Sequence, residues 1–319
     1  MQPTVTILLA AYNGEKFIAA QIESIIHQTY SNWKLVIRDD CSTDNTKPII
    51  RQYASRFSDK IFLLEDDKKN LGSTGNFNTL MQFAKAAEYI MFCDQDDVWL
   101  PGKIEITMSE MLQQQKNHPQ LPLLVYTNFI YVDDALQPIA SKQNFSATKI
   151  QPLHLNHLLA QNPVYGCTML INKELINKVG EIPAVAENSD YWIALAASIF
   201  GKIFYIKKPT VFYRQHEQNI SGQHSNDTPG KRISRNLVDK KIFDDVNRKY
   251  QMAIQLKDQY NTLLNKQQKN LIDTYVSFLH SKKIIPAFKS LKSGIRRQTF
   301  WQTALFYFAV LLRKAPIQS

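Results

Sequence analysis

Tyr89 to Leu100 reads YIMFCDQDDVWL, a short apolar run that delivers Asp94, Asp96 and Asp97 and then closes on an aromatic. Carboxylates packed this tightly repel one another at neutral pH, and a cation between them relieves the repulsion. A strand end that hands such a cluster to a loop is a place where a metal–phosphate substrate binds. The plainer alternative is a solvated acidic turn.

Upstream, the same layout repeats. Thr4 to Ala11 (TVTILLAA) is a buried-strand pattern, followed by the turn Tyr12-Asn13-Gly14 and a helical spacing at Phe17, Ile18, Ile22, Ile25 and Ile26. Trp33 to Arg38 (WKLVIR) is a second strand, ending at Asp39-Asp40, and Cys41 to Thr46 leads into a helix through Ile49, Ile50 and Tyr53. Lys60 to Glu65 is a third strand; Asn70 to Asn76 turns into a helix through Phe77, Leu80 and Met81. Strands alternating with helices predict an α/β, doubly wound, mostly parallel sheet. Ligands of such sheets bind beyond the carboxyl ends of the strands, and YNG, RDDCSTDNT and DQDD all fall there. The chain has neither GxGxxG nor GxxxxGK[ST], so neither a dinucleotide fingerprint nor a Walker loop is present.

Downstream of Leu100 the pattern predicts a helix over Ile104–Gln115, a strand over Leu123–Val132, a helix over Leu153–Ala160 and a strand over Cys167–Ile171. A helix over Ser189–Phe200 is stopped by Gly201, and short strands follow at Lys202–Ile206 and Val211–Tyr213. From about Arg232 onward everything reads helical. At 319 residues, 44% hydrophobic and 21% charged, the chain can bury a large core. Its three cysteines, far apart and in no CxxC spacing, argue against a zinc site or disulfide framework and fit a reducing compartment. The N-terminus lacks the basic start of a secretory signal.

The net charge of +10 is uneven: from Gly230 onward there are 18 Lys and Arg against 5 Asp and Glu, and the first 229 residues are slightly acidic. That asymmetry predicts an anionic surface as partner, membrane or nucleic acid. Gln298 to Leu312 (QTFWQTALFYFAVLL), flanked by Arg296-Arg297 and Arg313-Lys314, is too short to span a bilayer as a helix. It reads as an interfacial helix on anionic head groups, the alternative being a C-terminal helix packed on the catalytic domain. Its clustered aromatics fit lipid better than spaced stacking platforms, so no nucleic-acid partner is expected.

The ordered set VTILLAAYNGEKF, VIRDDCSTDNT, NLGSTGNFN and FCDQDDVWLPGK, over about residues 4 to 222, resembles the family 2 inverting glycosyltransferases of the A-type nucleotide-sugar (GT-A) fold. SDYWIALAASIFGKIFYI with VFYRQHEQNISG resembles their bacterial rhamnosyltransferase branch, which uses dTDP-rhamnose in cell-wall, capsule or O-antigen synthesis. The resemblance implies a GT-A catalytic domain over residues 1–229, with a nucleotide-sugar-binding half (1–100) and an acceptor half (101–229), and a helical, basic, membrane-associating extension over 230–319. It implies that Ala11, Tyr12, Asn13 and Glu15 line the nucleotide, that Asp40 accepts from the base's ring N–H, and that Asn70 and Gly72 lie near the donor sugar and diphosphate. In Asp94-Gln95-Asp96, the DxD motif, Asp94 would reach the ribose and Asp96 would hold Mg²⁺ or Mn²⁺ on the diphosphate, with His216 approaching the metal and Arg214 offsetting phosphate charge. On the acceptor side, Asp97 would lie near the acceptor or one layer behind it, Trp99 would floor the sugar site or else pack in the core, and Lys103 would be a solvated helix start. Asp190 would be the general base, an N-cap role being its alternative and Glu187 a residue that could share the work. The activity implied is transfer of a sugar, L-rhamnose from dTDP-rhamnose, to a lipid-linked or polysaccharide acceptor at the cytoplasmic face of the membrane. A UDP-hexose donor is the alternative; the rivals from other classes are a non-catalytic sugar-binding protein and a nucleic-acid-binding one.

Overall fold

The computed structural model describes residues 2–67, 69–140, 151–216, 240–281 and 283–312. Residues 217–222 of the second motif, the break at 229/230 and the Arg313-Lys314 flank lie outside them.

In chain order the elements are β1 (Val5–Ala11), α1 (Ile18–Ile26), β2 (Trp33–Asp39), α2 (Thr46–Arg56), β3 (Ile61–Leu63), α3 (Gly72–Phe83), β4 (Tyr89–Asp94), β5 (Val98–Trp99), α4 (Lys103–Asn117) and β6 (Leu123–Val132). Then come α5 (Leu155–Ala160), a 3₁₀ turn (Gly166–Thr168), β7 (Met169–Asn172), α6 (Lys173–Val179), α7 (Ser189–Phe200) and β8 (Lys202–Arg214). Among the described residues four helices follow: α8 (Lys240–Gln259), α9 (Lys266–His280), α10 (Ile284–Lys292) and α11 (Phe300–Leu312). Two compact units result: Met1–Ala147, Val164–Ala184 and Asn188–Gln223 form the first, and Thr148–Pro163, Val185–Glu187 and His224–Ser319 the second.

The first unit carries an eight-stranded sheet in the order β3-β2-β1-β4-β7-β6-β8-β5. β1, β2, β3 and β4 run parallel, in keeping with their largely apolar sequences: the central strands β1 and β4 are covered on both faces, and Ile7, Leu8 and Leu9 of β1 are all fully buried. The parallel expectation fails at β7, which pairs antiparallel to both β4 and β6. Lys202–Ile206 and Val211–Tyr213 are one strand, β8, whose register against β6 slips around Thr127 and Asn128, opposite Pro209. A proline cannot donate to the ladder, so the pairing breaks there and resumes.

Register sets the carboxyl edge. Ala10 lies beside both Arg38 and Asp94, and Ala11 beside Asp39. Because β7 runs the other way, its approach (Gly166 to Thr168) begins at the same edge. β8 pairs through Phe212 with Val98, which returns its carboxyl end to the acidic loop.

The second unit is helical among its described residues, built on buried Tyr250, Ala253, Leu256, Ile272, Tyr275 and Phe278. Lys249, 4% exposed, donates to Glu187 at 2.8 Å, with Asp245 at 3.5 Å. Phe278 stacks on Tyr307 of α11 at 4.4 Å. Among the described residues, no helix is long and apolar enough to cross a membrane.

Candidate active site

The turn after β1 is stitched to the loop after β2. Asn13, at φ 47°, donates its N–H to Ser42 Oγ (2.8 Å) and accepts from Thr43 N (2.8 Å). Glu15 accepts from the backbone and side chain of Asn45, both at 2.9 Å. These two side chains are engaged in loop structure. Gln95 is engaged as well: its amide donates to Tyr12 O and accepts from Tyr12 N, each at 2.7 Å, a two-point clamp on the β1 edge. Gly14 makes that clamp possible, since a Cβ there would lie 2.3 Å from Gln95 Oε1. The clamp leaves the Tyr12 ring projecting, 47% exposed, at the lip where a flat base can lie. The Ala11 carbonyl accepts from Asp40 N at 2.8 Å.

Asp40 differs from expectation. Its carboxylate is 2% exposed and already accepts from Arg38 Nη1 (2.6 Å), Leu71 N (2.9 and 3.0 Å) and Gly72 N (2.8 Å). Two backbone N–H groups therefore stand where a base N–H was expected, and direct contact with a base requires Leu71 and Gly72 to move aside. Asn70 closes the same turn, donating to Asp40 O at 3.0 Å and accepting from Gly72 N at 3.1 Å. Gly72 sits at φ +69°, where a side chain strains the backbone. Arg38, 1% exposed, is forked across Asp40 and Asp66.

Asp94, Gln95 and Asp96 are half-buried at the end of β4, whereas Asp97 is 1% exposed. Burial first, then the charges of Asp96 and Asp190, push Asp94 up to about 7. Asp97 rises well above the usual carboxylate range through burial and then its neighbours Asp96 and Asp94. It accepts from Arg214 N at 3.1 Å, so it is a buried link and not an acceptor-facing group. Arg214 is likewise 3% exposed; its guanidinium donates to Asp96 O (2.8 Å) and to Asp134 O and lies 4.5 Å over the Phe17 ring. It braces the loop instead of facing phosphate. Trp99 is 2% exposed and packs in the core, which removes it from the sugar floor.

Lys103 is the largest departure. Expected in solvent, it is fully buried, its Nζ 4.7 Å over the Trp99 ring and without a hydrogen-bond acceptor among the described residues. Burial pulls it down to about 8, against the opposing influence of Cys167, Cys93 and Asp97.

His216 Nε2 lies 2.7 Å from Asp96 Oδ2, the imidazole held against Phe17 with centroids 4.9 Å apart. At 11% and 19% exposure the two side chains form an accessible lip. One carboxylate oxygen and one imidazole nitrogen, completed by diphosphate oxygens, suit Mn²⁺ or Mg²⁺. A second group, Asp94, Asp97 and Cys167, brings its ligand atoms within 4.8 Å of one another. Burial and the Asp97 and Asp94 charges push the Cys167 thiol up, which makes this group a poor fit for a hard cation. Asp96 with His216 is the better fit.

Asp190 is in the first turn of α7, whose N-cap is Asn188, so the capping alternative does not hold. Its Oδ2 accepts from Gly166 N at 3.0 Å, and its charge reaches Asp94. Glu187 is occupied by Lys249 and belongs to the second unit. Sequence reasoning missed Phe17, Arg38 and Gly166; a lone aromatic after YNGEK, a strand arginine and a loop glycine carry no signal of their own.

Comparison with known proteins gives the family and the fold type. Residues 6–174 match the family described as Glycosyl transferase family 2, and the chain belongs to that family. It is 32% identical over 193 residues, 60% of this chain and 68% of the relative, to an Escherichia coli UDP-Glc:alpha-D-GlcNAc-diphosphoundecaprenol beta-1,3-glucosyltransferase. It is 29% identical over 224 residues, 67% of this chain and 73% of the relative, to a dTDP-rhamnosyl transferase of Shigella flexneri. Among solved structures, Staphylococcus aureus TarS 1-349 in complex with UDP-GlcNAc aligns at TM-score 0.58 and 17% identity, over 96% of this chain and 79% of that one. A Pyrobaculum calidifontis mannosyltransferase in complex with GDP-Man and Mn²⁺ aligns at 0.52 and 19%, over 97% of this chain and 86% of that one. The fold is of the GT-A type, and the protein is a glycosyltransferase.

Proposed function

We propose that this glycosyltransferase moves a sugar, L-rhamnose from dTDP-rhamnose, with inversion onto a lipid-linked glycan in cell-surface polysaccharide synthesis. It would act as a peripheral protein at the cytoplasmic face of the membrane. The observation that carries the reading is the meeting of four chain segments at one sheet edge: the Tyr12 lip, Asp94 to Asp96, His216 on Asp96, and Asp190.

Tyr12 stacks on the base; Gln95 holds its backbone in place, and Asn13 and Glu15 tie the following turn to the loop after β2. Asp40 keeps the Asn70–Gly72 turn beside the nucleotide. Asp94 takes the ribose. Asp96 and His216 would hold Mg²⁺ or Mn²⁺, and the ion would supply positive charge for the leaving diphosphate. Asp190 Oδ1 or Oδ2 accepts the proton of the acceptor hydroxyl as that oxygen attacks the anomeric carbon from the face opposite the leaving group. The Gly166 amide positions the carboxylate for it.

The 32% identity to a UDP-glucose-dependent transferase favours a second reading, a UDP-hexose donor at the same site. Nucleotide diphosphate release from dTDP-rhamnose and from UDP-glucose, with an undecaprenyl-diphosphate glycan as acceptor, separates the two. Asp190→Asn should cut turnover by at least about a hundredfold while donor binding persists. Full turnover by that variant would move the base elsewhere, and release from neither donor under any divalent metal would remove the proposal.

A further inference from the structure

We propose that the outer faces of α10 and α11 together form one docking surface for an anionic lipid bilayer. The inference deepens the membrane-associated reading above and rests on it.

α10 is sorted by face. Ala287 and Ser290 are buried, whereas Ile284, Ile285, Phe288 and Leu291 are 77%, 69%, 65% and 49% exposed. Four large apolar side chains at i, i+1, i+4 and i+7 make a stripe, and a stripe facing water needs a partner. α11 is apolar all round. Its inner side buries Phe306, Ala309 and Val310, yet its outer side leaves Phe300 76%, Trp301 74%, Phe308 47% and Leu312 56% exposed. A helix with two apolar faces and only one of them covered is half of a sandwich.

The two helices are joined within the second unit. Ser290 Oγ and Tyr307 OH are hydrogen-bonded at 2.8 Å, and Tyr307 OH also donates to Ile295 O at 2.8 Å, so α10, the turn after it and α11 share one polar pin. A pinned pair presents its apolar side chains without the ordering cost that a free helix bears at an interface.

Charge decides the occupant. No Asp or Glu follows Asp273 in the sequence, against eight Lys and Arg. Lys283, Lys289, Lys292 and Arg296 are all exposed in and beside these helices. Aromatic and aliphatic side chains with a basic rim match a bilayer whose surface is anionic. A second copy of the chain is a poorer partner, because a two-fold contact would bring the two basic rims together. At 13 residues α11 is about 20 Å long and cannot span the hydrocarbon core, so it lies in the interface.

The test is flotation of the full chain with phosphatidylcholine vesicles containing phosphatidylglycerol and with phosphatidylcholine alone. Binding to the first should exceed binding to the second by about tenfold or more, with high salt reducing the difference. Ile285→Glu/Phe288→Glu should weaken vesicle binding by about tenfold, and Trp301→Glu by a similar factor, each with unchanged helical circular dichroism. Diphosphate release with a soluble acceptor should be unaffected, since none of these residues is in the active site. If the wild-type chain floats with neither vesicle, the membrane reading and this inference fall together. If it floats and Trp301→Glu abolishes binding while Ile285→Glu/Phe288→Glu binds fully, the membrane reading stands and the two-helix surface is overturned. A dimer in light scattering that Ile285→Glu/Phe288→Glu dissolves, without vesicle binding, assigns the surface to a second copy.

Discussion

Replacing Lys103 by methionine should stabilise the protein at neutral pH. The ammonium is fully buried, has no hydrogen-bond acceptor among the described residues, and begins α4, where the helix dipole opposes a positive charge. Held at about 8 in the fold against an ordinary 10.5, it binds its proton less tightly than in the unfolded chain. About 2.5 pH units of difference correspond to about 3 kcal/mol at pH 7. The Trp99 ring beneath returns about 1 kcal/mol through its cation–π contact. Methionine fills a similar volume without the charge, so the net gain is about 2 kcal/mol, or about 5 °C in Tm for a chain of this size. The pH dependence is the sharper readout. Between about pH 8 and 10.5 the unfolded chain keeps a proton on Lys103 that the folded chain has released, so wild-type stability rises with pH through that window. The advantage of Lys103→Met should therefore shrink as pH increases. Urea unfolding at pH 7 and pH 9.5 measures both quantities. A variant less stable than wild type by more than about 1 kcal/mol at pH 7, with the same deficit at pH 9.5, would show that the cation is a net stabilising partner of Asp97 and refute the reasoning. A stabilised variant that releases less diphosphate would identify Lys103 as a charge kept for the acidic loop at the expense of stability.

Asp40→Asn places an amide donor against either Arg38 or the Leu71 and Gly72 N–H groups; because Arg38 retains Asp66, the loss should be about 2 to 3 kcal/mol in urea unfolding, with weaker nucleotide binding by calorimetry. Gly14→Ala pushes a methyl to 2.3 Å from Gln95 Oε1, so it should open the Tyr12 clamp, cost about 1 to 3 kcal/mol, and raise the donor KM more than it lowers kcat. In the second unit, burial first, then Arg296 and His154, hold His157 down at about 4. Its neutral form is required in the fold while the unfolded chain protonates near 6.5, so stability should fall by about 2 to 3 kcal/mol as pH drops from 6.5 to 4. His157→Gln should flatten that part of the curve while keeping the capping box; an unchanged slope would place the titration on another group.

The parallel half of the sheet was legible because its physics is local. β1 and β4 are apolar over most of their length, as is the Leu35–Ile37 run of β2; a strand covered on both faces tolerates that, and each leads into a polar cluster. YNG, Asp39-Asp40 and DQDD were therefore visible as strand ends, and their common edge followed from the parallel rule. Burial was not legible at the same positions. Asp40, Asp97, Lys103 and Arg214 are charged residues beside loops, where solvent is the default, and only the chain folded back over them makes them interior. β7 reverses direction and β8 returns beside β5, so Gly166 reaches Asp190, Arg214 braces the acidic loop and His216 meets Asp96. Each of those meetings joins residues 24 to 120 positions apart. Sequence by itself determined which polar residues fall at the carboxyl ends of the strands. Tertiary structure decided which of them remain open to a ligand and which are used up in holding the edge together, because a hydrogen bond to a distant backbone is a property of the fold and leaves no pattern along the chain.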